Sequence, residues 1–287
     1  MRPCDSEHEP APRALRALAV LPARMGSTRL ARKMLLDETG AALVVHTARA
    51  VLRCEAFERV VVATDAEEIR ALLAREGLEA VMTSSGHASG TDRVHAAART
   101  LGADFDVVVN VQADEPEVDP ADLALVVAAF ADGEVSAATL RHPIHSPEEL
   151  EDASVVKVVC DERGDALYFS RAPIPSHSHT RPSYPARGSL PLAWRHLGVY
   201  GWRPAALARF CALPPSELEE CESLEQLRWL EHGERMRVRT ARTLSRGIDT
   251  RKDYDDFVAR EATRGKATRE LARGRSERGN AHEQRES

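Results

Sequence analysis

The sequence of 287 residues has few aromatic side chains, no long apolar run and no excess of positive charge. Aromatic residues make up 5% of the chain, the formal net charge is −6, and no basic stripe is interleaved with aromatics, which disfavours a nucleic-acid binder. No apolar run approaches the roughly 20 residues that a membrane-spanning helix needs. With 43% hydrophobic and 29% charged residues, the composition is that of an ordinary soluble globular protein.

Cysteines are few, and they are not arranged in pairs. No C-x-x-C pair occurs, and the number of cysteines is odd, which argues against a disulfide framework and against a zinc site and favours a cytoplasmic location. The five are Cys4, Cys54, Cys160, Cys211 and Cys221. The N-terminal stretch 1–16 is polar and contains prolines but no apolar core, so we predict a disordered extension rather than a signal peptide.

The common catalytic and phosphate-binding motifs are also missing. The sequence contains no H-E-x-x-H, no G-x-S-x-G, no Walker motif and no G-x-G-x-x-G. A functional site must therefore be sought from the way polar segments follow the predicted strands.

The first half alternates between apolar strands and amphipathic helices. This alternation predicts an α/β fold with a mostly parallel sheet and helices on both faces. The predicted strands are 17–23, 59–65, 79–84 and 105–116, and the predicted helices are 41–54, 66–77, 91–102 and 120–133, with Thr91 as the N-cap of the third helix.

The second half is predicted to contain antiparallel structure. Segment 154–171 is typical of two strands around an "ERGD" turn. Further predictions are strands at 194–202 and 235–242, a long helix at 216–233, a last helix within 247–261 and a disordered charged tail at 262–287. We expect one domain over 17–261, with a soft boundary between its two halves near residue 140.

Three polar segments follow predicted parallel strands. They are 22–33, 83–93 and 112–116. Ligands of open α/β sheets bind beyond the carboxyl ends of the strands, so these segments are expected to converge on one site.

The first of these segments, "LPARMGSTRLARK", combines small residues with basic ones. Backbone N–H groups around a glycine and hydroxyls can form an anion nest, and arginine and lysine bind phosphate. The small residues are Gly26, Ser27 and Thr28, and the basic ones are Arg24, Arg29 and Lys33. The residues alone support a triphosphate site and a solvated basic loop about equally.

Two acidic segments are candidates for a metal site. Asp114 and Glu115 follow a buried strand, where carboxylates suit Mg²⁺, although a simple turn is the commoner explanation of such a pattern. Asp249 precedes a helix on which Thr250 and Asp253 form a capping-box pattern, and taken alone it is interpreted as part of that cap.

The predicted long helix has two distinct faces. A three-residue step predicts a core-facing strip, whereas the other face is either solvated or turned to a substrate or a second subunit. The core-facing strip is Leu218, Cys221, Leu224 and Leu227, and the other face is Glu222, Glu225, Gln226 and Trp229. Of the histidines, His196 is interpreted as structural, and His177 and His179 as solvated loop residues.

Taken together, these segments closely resemble the CMP-Kdo synthetases, the 3-deoxy-manno-octulosonate cytidylyltransferases. The matching strings occur in the family's order between about residues 17 and 258. They are "LPARMGSTRLARKMLLD", "VVVATDAEEI", "HASGTDRV", "VNVQADEP", "VVKVVCDERGDALYFSRAPIP", "RHLGVYGWR", "LEQLRWLEHG" and "GIDTRKDYD". The first and fourth are shared with related sugar nucleotidyltransferases, whereas "RHLGVYGWR" and "LEQLRWLEHG" are more specific to this branch.

The resemblance implies a fold, a reaction and a cofactor. The fold is that of the nucleotide-diphospho-sugar transferases, with an extra antiparallel portion that forms a homodimer. The resemblance thus implies a nucleotide-binding part over about 17–140 and a sugar-binding and dimerisation part over about 141–261. The reaction converts CTP and 3-deoxy-D-manno-octulosonate (Kdo) to CMP-Kdo and diphosphate, with Mg²⁺ as cofactor, for lipopolysaccharide biosynthesis.

The resemblance also assigns roles to individual positions. It implies that Arg24, Gly26, Ser27 and Lys33 bind the triphosphate, and that Arg24 and Lys33 also act in catalysis. It places Ser89, Gly90, Thr91 and Arg93 near the nucleotide. It implies that Asp114 and Asp249 are catalytic metal ligands and that Gln112, His196, Glu225 and Gln226 contact the sugar.

Two positions depart from the family pattern. The family usually has proline where Ala31 stands and glycine where Ala113 stands. If the second position needs a positive φ angle, Ala113 is expected to cost on the order of 1 kcal/mol. The alternatives are therefore a cytidylyltransferase for another 2-keto sugar acid, of the 8-amino-Kdo or sialic acid type, and an inactive nucleotide-binding relative.

Overall fold

The first half of the chain forms the predicted strand–helix alternation. The structure is a computed structural model that describes residues 13–26, 29–102, 104–176 and 193–264. The elements are β1 (Ala17–Ala23), α1 (Leu43–Leu52), β2 (Arg59–Thr64), α2 (Glu67–Arg75), β3 (Ala80–Met82), α3 (Gly90–Leu101), β4 (Val107–Asn110) and α4 (Pro120–Ala128). Short 3-10 turns lie at Lys33–Leu35 and Ala129–Ala131.

The second half adds strands of mixed direction and shorter helices. Strand β5 and helices α5 and α6 were not predicted from the sequence, and the last helix, α9, runs on through 262–264, which the sequence placed in the charged tail. The elements are β5 (Ala137–Ile144), α5 (Pro147–Glu151), β6 (Lys157–Cys160), β7 (Ala166–Ser170), β8 (Ala193–Trp202), α6 (Pro204–Ala212), α7 (Glu217–Glu222), α8 (Gln226–Glu231), β9 (Arg237–Thr240) and α9 (251–264).

One sheet runs through both halves of the described chain. Its strand order is β3-β2-β1-β4-β8-β5-β9, and β6 adds to β8 and carries β7 as a hairpin partner. Strands β1 to β4 are parallel, whereas β8 is antiparallel to β4 and β5. The predicted parallel sheet and the predicted antiparallel pair within 154–171 are both confirmed.

Helices cover both faces of this sheet. Alternate residues of β1 point to opposite sides, with Ala19 and Leu21 in one apolar core and Leu18 and Val20 in the other. Helices α1 and α4 pack on the first side, and α3, α6 and α8 pack on the second. Because both faces are buried, the carboxyl-end edge of the parallel strands is where the sheet meets solvent and ligands.

Two local predictions were wrong. Helix α3 starts two residues earlier than expected, because Ser89 rather than Thr91 is its N-cap and exchanges hydrogen bonds with Asp92. The predicted long helix is two short ones, because Ser223 adopts a left-handed conformation (φ 53°) and ends α7. As a result, Leu218 and Cys221 are exposed instead of facing the core.

No helix in the part of the chain that the structure describes is both long enough and apolar enough to span a lipid bilayer.

Candidate active site

Two adjoining cavities lie at the carboxyl ends of β1 and β4. The first, of about 270 Å³, is called here the lysine cavity, and Lys33, Asp114, Asp249 and Arg29 are among its lining residues. The second, of about 320 Å³, is called the tyrosine cavity, and its lining includes Gly90, Thr91, Asn110, Tyr200, Glu225 and Gln226. Pro22, Arg24 and Gln112 line both. The predicted convergence of the polar segments after β1, β3 and β4 is thus observed.

The side chain of Lys33 joins the two aspartates of the lysine cavity. The buried Lys33 ammonium lies 2.6 Å from Oδ2 of Asp114 and 3.2 Å from Oδ1 of Asp249. Arg29 approaches the same oxygen of Asp249 at 3.3 Å. Two carboxylates that are far apart in sequence therefore point at one position that a cation occupies.

Asp249 keeps its carboxylate free for this contact because another residue caps α9. The main-chain N–H groups of Asp249 and Thr250 both donate to the carboxylate of Asp253, and the main-chain N–H of Asp253 donates to the Thr250 hydroxyl. The capping pattern predicted for Thr250 and Asp253 is confirmed. Asp249 directly precedes the N-terminus of α9 and does not cap the helix.

Two hydrogen bonds to main-chain carbonyl groups, that of Asp114 itself and that of the preceding Ala113, hold Asp114 in place. Its carbonyl oxygen accepts from the N–H of Ile248 at 3.0 Å, and the carbonyl oxygen of Ala113 accepts from the buried hydroxyl of Thr47 at 2.8 Å. Among the described residues other than glycine, only Arg32 and Ser223 have positive φ angles. Ala113 is therefore unstrained, and the cost considered for alanine at this position does not arise.

The phosphate-binding segment is only partly described. Arg24 and Gly26 are exposed at the lysine cavity, and Arg24 also reaches the tyrosine cavity. Ser27, which the sequence also placed in the triphosphate site, lies outside the described residues. Arg29 completes the basic rim of the cavity through its approach to Asp249.

The predicted nucleotide-binding residues at the start of α3 do not all reach a cavity. Gly90 and Thr91 line the tyrosine cavity, and the Thr91 hydroxyl donates to Glu225 at 2.9 Å. Ser89 is used as the helix cap. Arg93 is 1% exposed, forms an ion pair with Asp65 at 2.8 Å and lines neither cavity. The structure thus does not bring Arg93 to the other predicted nucleotide-binding side chains.

Three of the four predicted sugar-contacting residues line the tyrosine cavity. They are Gln112, Glu225 and Gln226. The left-handed turn at Ser223 breaks the predicted long helix directly before Glu225 and Gln226, which allows both to reach the cavity. Gln226 accepts from the Tyr200 hydroxyl at 3.1 Å, and its buried Nε2 has no partner among the described residues, so it remains a free donor beside the cavity.

The fourth, His196, lies behind the cavity wall. Its ring centroid is 5.4 Å from that of Tyr200 and 4.9 Å from that of Phe169, and it lines neither cavity. The sequence-based interpretation of a structural histidine fits its packing, whereas the resemblance places it against the sugar.

Burial shifts the ionisation of several groups around the tyrosine cavity. It lowers the pKa of His196 to about 3, so the ring is neutral near pH 7. Burial also raises the pKa of Glu225 and that of the Tyr200 phenol. Burial and, secondarily, the negative charge of Asp114 raise the pKa of Glu115 to about 7.

Sequence reasoning did not select two residues of the tyrosine cavity, Asn110 and Tyr200. The sequence carries a signal for Asn110, because it is the one polar residue of β4, "VVVN", and stands at the carboxyl end of that strand. Tyr200 carries no such signal. Its position depends on the pairing of β8 with β4 and β5, which is a long-range contact.

Comparison with known proteins gives consistent matches over most of the chain. The sequence model of one family, described as cytidylyltransferase, matches residues 18–236. A 3-deoxy-manno-octulosonate cytidylyltransferase of Anaeromyxobacter sp. (strain Fw109-5) is 46% identical over 240 residues, which cover 84% of this chain and 94% of that relative. The protein of the same name from Chlorobaculum tepidum is 44% identical over 246 residues, which cover 84% and 96%.

A solved structure matches the fold closely. It is a CMP:2-keto-3-deoxy-manno-octonic acid synthetase complexed with CTP, with a TM-score of 0.79 and 35% sequence identity, over 87% of this chain and 99% of that one. A nucleotidyl transferase from Methanothermobacter thermautotrophicus, with a TM-score of 0.54 and 16% identity, shares the fold alone.

Proposed function

Because this chain belongs to the cytidylyltransferase family, we propose that it transfers the cytidylyl group of CTP to Kdo, giving CMP-Kdo and diphosphate for lipopolysaccharide biosynthesis. Relatives that are more than 40% identical carry the name of this activity, and a structural relative was solved with CTP. The observation on this chain that carries the proposal is the convergence of Asp114, Asp249 and Lys33 beside a second polar cavity.

On the nucleotide side, we assign the triphosphate to the lysine cavity. Arg24, Arg29 and Lys33 line it, and guanidinium and ammonium groups are the usual partners of phosphate. Arg24 has no hydrogen-bond or ion-pair partner among the described residues, so its guanidinium is available to a ligand. Together these side chains offset the charge that develops on the leaving diphosphate.

On the sugar side, we assign the sugar acid to the tyrosine cavity. Its polar groups include the amides of Gln112, Gln226 and Asn110 and the carboxylate of Glu225, which suit the many hydroxyls of a sugar. Because Arg24 and Gln112 line both cavities, a sugar in one lies next to a triphosphate in the other. This adjacency brings the anomeric hydroxyl of the sugar close to the α-phosphorus of the nucleotide.

The residues of the lysine cavity fit a Mg²⁺ ion. Asp114 and Asp249 both point at the position that the Lys33 ammonium takes, so the two carboxylates already converge on one cation. No group of three or more acidic, histidine or cysteine ligands exists in the described parts of the chain, and Mg²⁺ is usually held by one or two carboxylates with water and substrate phosphate. When bound there, Mg²⁺ supplies charge neutralisation at the α-phosphate and lowers the pKa of the attacking hydroxyl.

We also propose that the chain forms a homodimer and works in the cytoplasm. The resemblance places the dimer contact in the antiparallel portion, where β7 is paired with β6 alone among the described strands and exposes Leu167. The described cysteines are all free, which suits a reducing compartment.

A panel of sugar acids tests the reaction. Diphosphate release is measured from CTP and Mg²⁺ with Kdo, 8-amino-Kdo and a sialic acid, and with each of the other nucleoside triphosphates in place of CTP. The proposal predicts release with Kdo and CTP above every other pair. Preference for another sugar acid identifies a relative of different specificity, and CTP binding without release with any sugar acid identifies an inactive relative.

A further inference from the structure

The left-handed turn at Ser223 is a strained segment beside the tyrosine cavity. Among the described residues other than glycine, Ser223 and Arg32 alone have a positive φ angle, and that of Ser223 is 53°. Ser223 lines the cavity next to Glu225 and Gln226. Residues with a Cβ atom rarely adopt this conformation, and helices that end in it usually place glycine there. Contacts around the turn must therefore offset the free energy that serine costs at this position.

Glu222, the last residue of α7, binds the end of β7. One of its carboxylate oxygens accepts from the hydroxyl of the buried Ser170 at 2.6 Å, and the other accepts from the main-chain N–H of Arg171 at 2.9 Å. Partial burial opposes ionisation, but these two bonds lower the pKa of Glu222, so its carboxylate is charged near pH 7. Hydrogen bonds to a charged group are stronger than neutral ones, so they fix the residue directly before the turn.

The side chain of Arg171 binds the main chain of the same turn. Its Nε donates to the carbonyl oxygen of Glu222 at 2.8 Å, and its guanidinium also donates to that of Ser223 at 3.4 Å. A helix C-terminus leaves such carbonyl groups without partners. The fully buried ammonium of Lys157 donates to the Arg171 carbonyl oxygen at 2.5 Å and so anchors the end of β7. The contacts of Ser170 and Arg171 with Glu222 and Ser223 are called here the β7 clamp.

The residues after the turn depend on its geometry for their contacts in the cavity. The Glu225 carboxylate accepts from the Thr91 hydroxyl at 2.9 Å, and the Gln226 side chain accepts from the Tyr200 hydroxyl at 3.1 Å. Glu225 stands two residues after Ser223. A change of the Ser223 backbone to another conformation would therefore redirect the start of α8 and move both side chains away from these partners.

We propose that Glu222 is a positioning residue that keeps Ser223 left-handed through the β7 clamp. The turn then presents Glu225 and Gln226 to the sugar acid in the tyrosine cavity. Glu222 lines neither cavity, so it acts through the turn. The inference rests on the proposed function for the identity of the substrate, whereas the link between Glu222 and the turn does not depend on it.

Amide hydrogen exchange tests this link without any substrate. The N–H groups of Ser223 and Leu224 both donate to the carbonyl oxygen of Glu219, a pairing that belongs to the left-handed turn. NMR on the full chain should show both amides exchanging about 10-fold faster in Glu222→Gln, which keeps the size of the side chain but removes its charge. Glu220→Gln, the same change at an exposed position of α7, is the matched control and should exchange like the wild type. Unchanged exchange in Glu222→Gln overturns the proposal.

A second substitution separates the turn from a general weakening of the fold. Glycine adopts the left-handed conformation without a steric penalty, so Ser223→Gly reduces the need for the β7 clamp. We expect Glu222→Gln combined with Ser223→Gly to return both the exchange rates and the KM for the sugar acid to within about 3-fold of wild type. If glycine rescues neither, Glu222 does not act through Ser223.

Kinetics tests the effect on the substrate. We expect Glu222→Gln to raise KM for the sugar acid about 10-fold and to leave KM for CTP within about 2-fold, because the turn does not line the lysine cavity. Ser170→Ala, a milder variant that removes one donor to Glu222, should raise the same KM and speed the same exchange about 3-fold. Equal changes in both KM values, or none, overturn the effect on the sugar site. If the wild type turns over no sugar acid, the proposed function fails, whereas the exchange result on the turn stands by itself.

Discussion

The main-chain N–H of Ile248 donates to the carbonyl oxygen of Asp114 at 3.0 Å. This bond ties the segment after β4 to the segment before α9, one residue away from Asp249. The position of the two carboxylates relative to each other is thus set by the main chain, and Lys33 then bridges them. Because the main chain fixes the two carboxylates, only the Lys33 side chain has to move for a metal ion to take its place, which lowers the cost of binding one.

Asp114→Asn is expected to reduce turnover about 100-fold or more and to leave CTP affinity within a few-fold of wild type. The substitution removes one of the two charges that we propose hold Mg²⁺, but it leaves the basic rim of the lysine cavity in place. The measurements are kcat from diphosphate release and Kd for CTP by calorimetry. Asp37→Asn, at an exposed position of the loop after Lys33, is the control. Wild-type kcat in Asp114→Asn would show that this carboxylate has no part in the chemical step.

Lys33→Ala is expected to weaken CTP binding at least 10-fold, as for a lost hydrogen bond to a charged group. The same change leaves Asp114 and Asp249 without their shared counter-ion, so the variant should melt lower than wild type in the absence of Mg²⁺. Added Mg²⁺ should raise its Tm by more than it raises that of wild type, because ligand binding to the folded state stabilises it.

The control for Lys33 is Lys252→Ala, which removes an exposed ammonium paired with Asp256 on α9. Its CTP affinity and its response to Mg²⁺ should match the wild type. Equal Mg²⁺ responses in Lys33→Ala and Lys252→Ala would mean that the two aspartates do not converge on the metal.

Ala113→Gly is expected to destabilise the fold by about 0.5 to 1 kcal/mol and to leave turnover unchanged. Ala113 has no positive φ angle and is buried in the core, so glycine relieves no strain there and adds only flexibility to the unfolded chain. Urea unfolding gives the change in stability, and diphosphate release gives kcat. A rise in kcat with no loss of stability would show instead that alanine hinders this turn.

The first half of the fold was predictable because each strand is a continuous aliphatic run bounded by turn residues. "RVVVATD", for example, gives β2 as Arg59–Thr64, within a residue of the expected end. Strand β5 was missed because Arg141, His142 and Pro143 interrupt its apolar pattern. Its strand form follows from pairing with β8 and β9, which local sequence does not encode.

The candidate site was partly predictable for the same reason. Segments that follow parallel strands must meet at one edge, which brought Arg24 and Asp114 together from topology alone. Asp249 precedes the N-terminus of α9, far along the sequence from the parallel strands, and only the resemblance indicated it. Arg93 was assigned to the nucleotide by its place in a matching string, yet its side chain turns inward to Asp65. Sequence proximity to a site does not fix the direction of a side chain.

His196→Gln is expected to reduce the loss of stability on acidification. Burial lowers the pKa of His196 to about 3, from about 6.5 in the unfolded chain, so the unfolded state binds the proton first. The stabilisation from the neutral ring is complete above pH 6.5 and is lost as the pH falls toward 3. By pH 5 the stability lost through this histidine is about 2 kcal/mol, at roughly 1.4 kcal/mol per pH unit below the pKa of the unfolded state.

The measurement is the free energy of unfolding by urea at pH 8 and pH 5. The difference between the two pH values should be smaller in His196→Gln than in wild type by that amount. His95→Gln, a less buried histidine on α3, is the comparison and should change the difference less. Identical pH dependence in His196→Gln and wild type would mean that the imidazole titrates normally in the folded chain.

Leu167→Lys is expected to shift the proposed homodimer toward monomer. Leu167 is 62% exposed on β7, at the open side of the β6–β7 hairpin, where a second copy would bury it. Losing one buried leucine and placing a charge in the contact should weaken the dimer at least 10-fold.

Leu52→Lys, at an equally apolar position that is 52% exposed on α1, is the matched control and should keep the wild-type assembly state. Light scattering over a range of concentrations distinguishes the cases. A monomeric wild type refutes the dimer, and a dimeric Leu167→Lys with unchanged affinity places the contact on another surface.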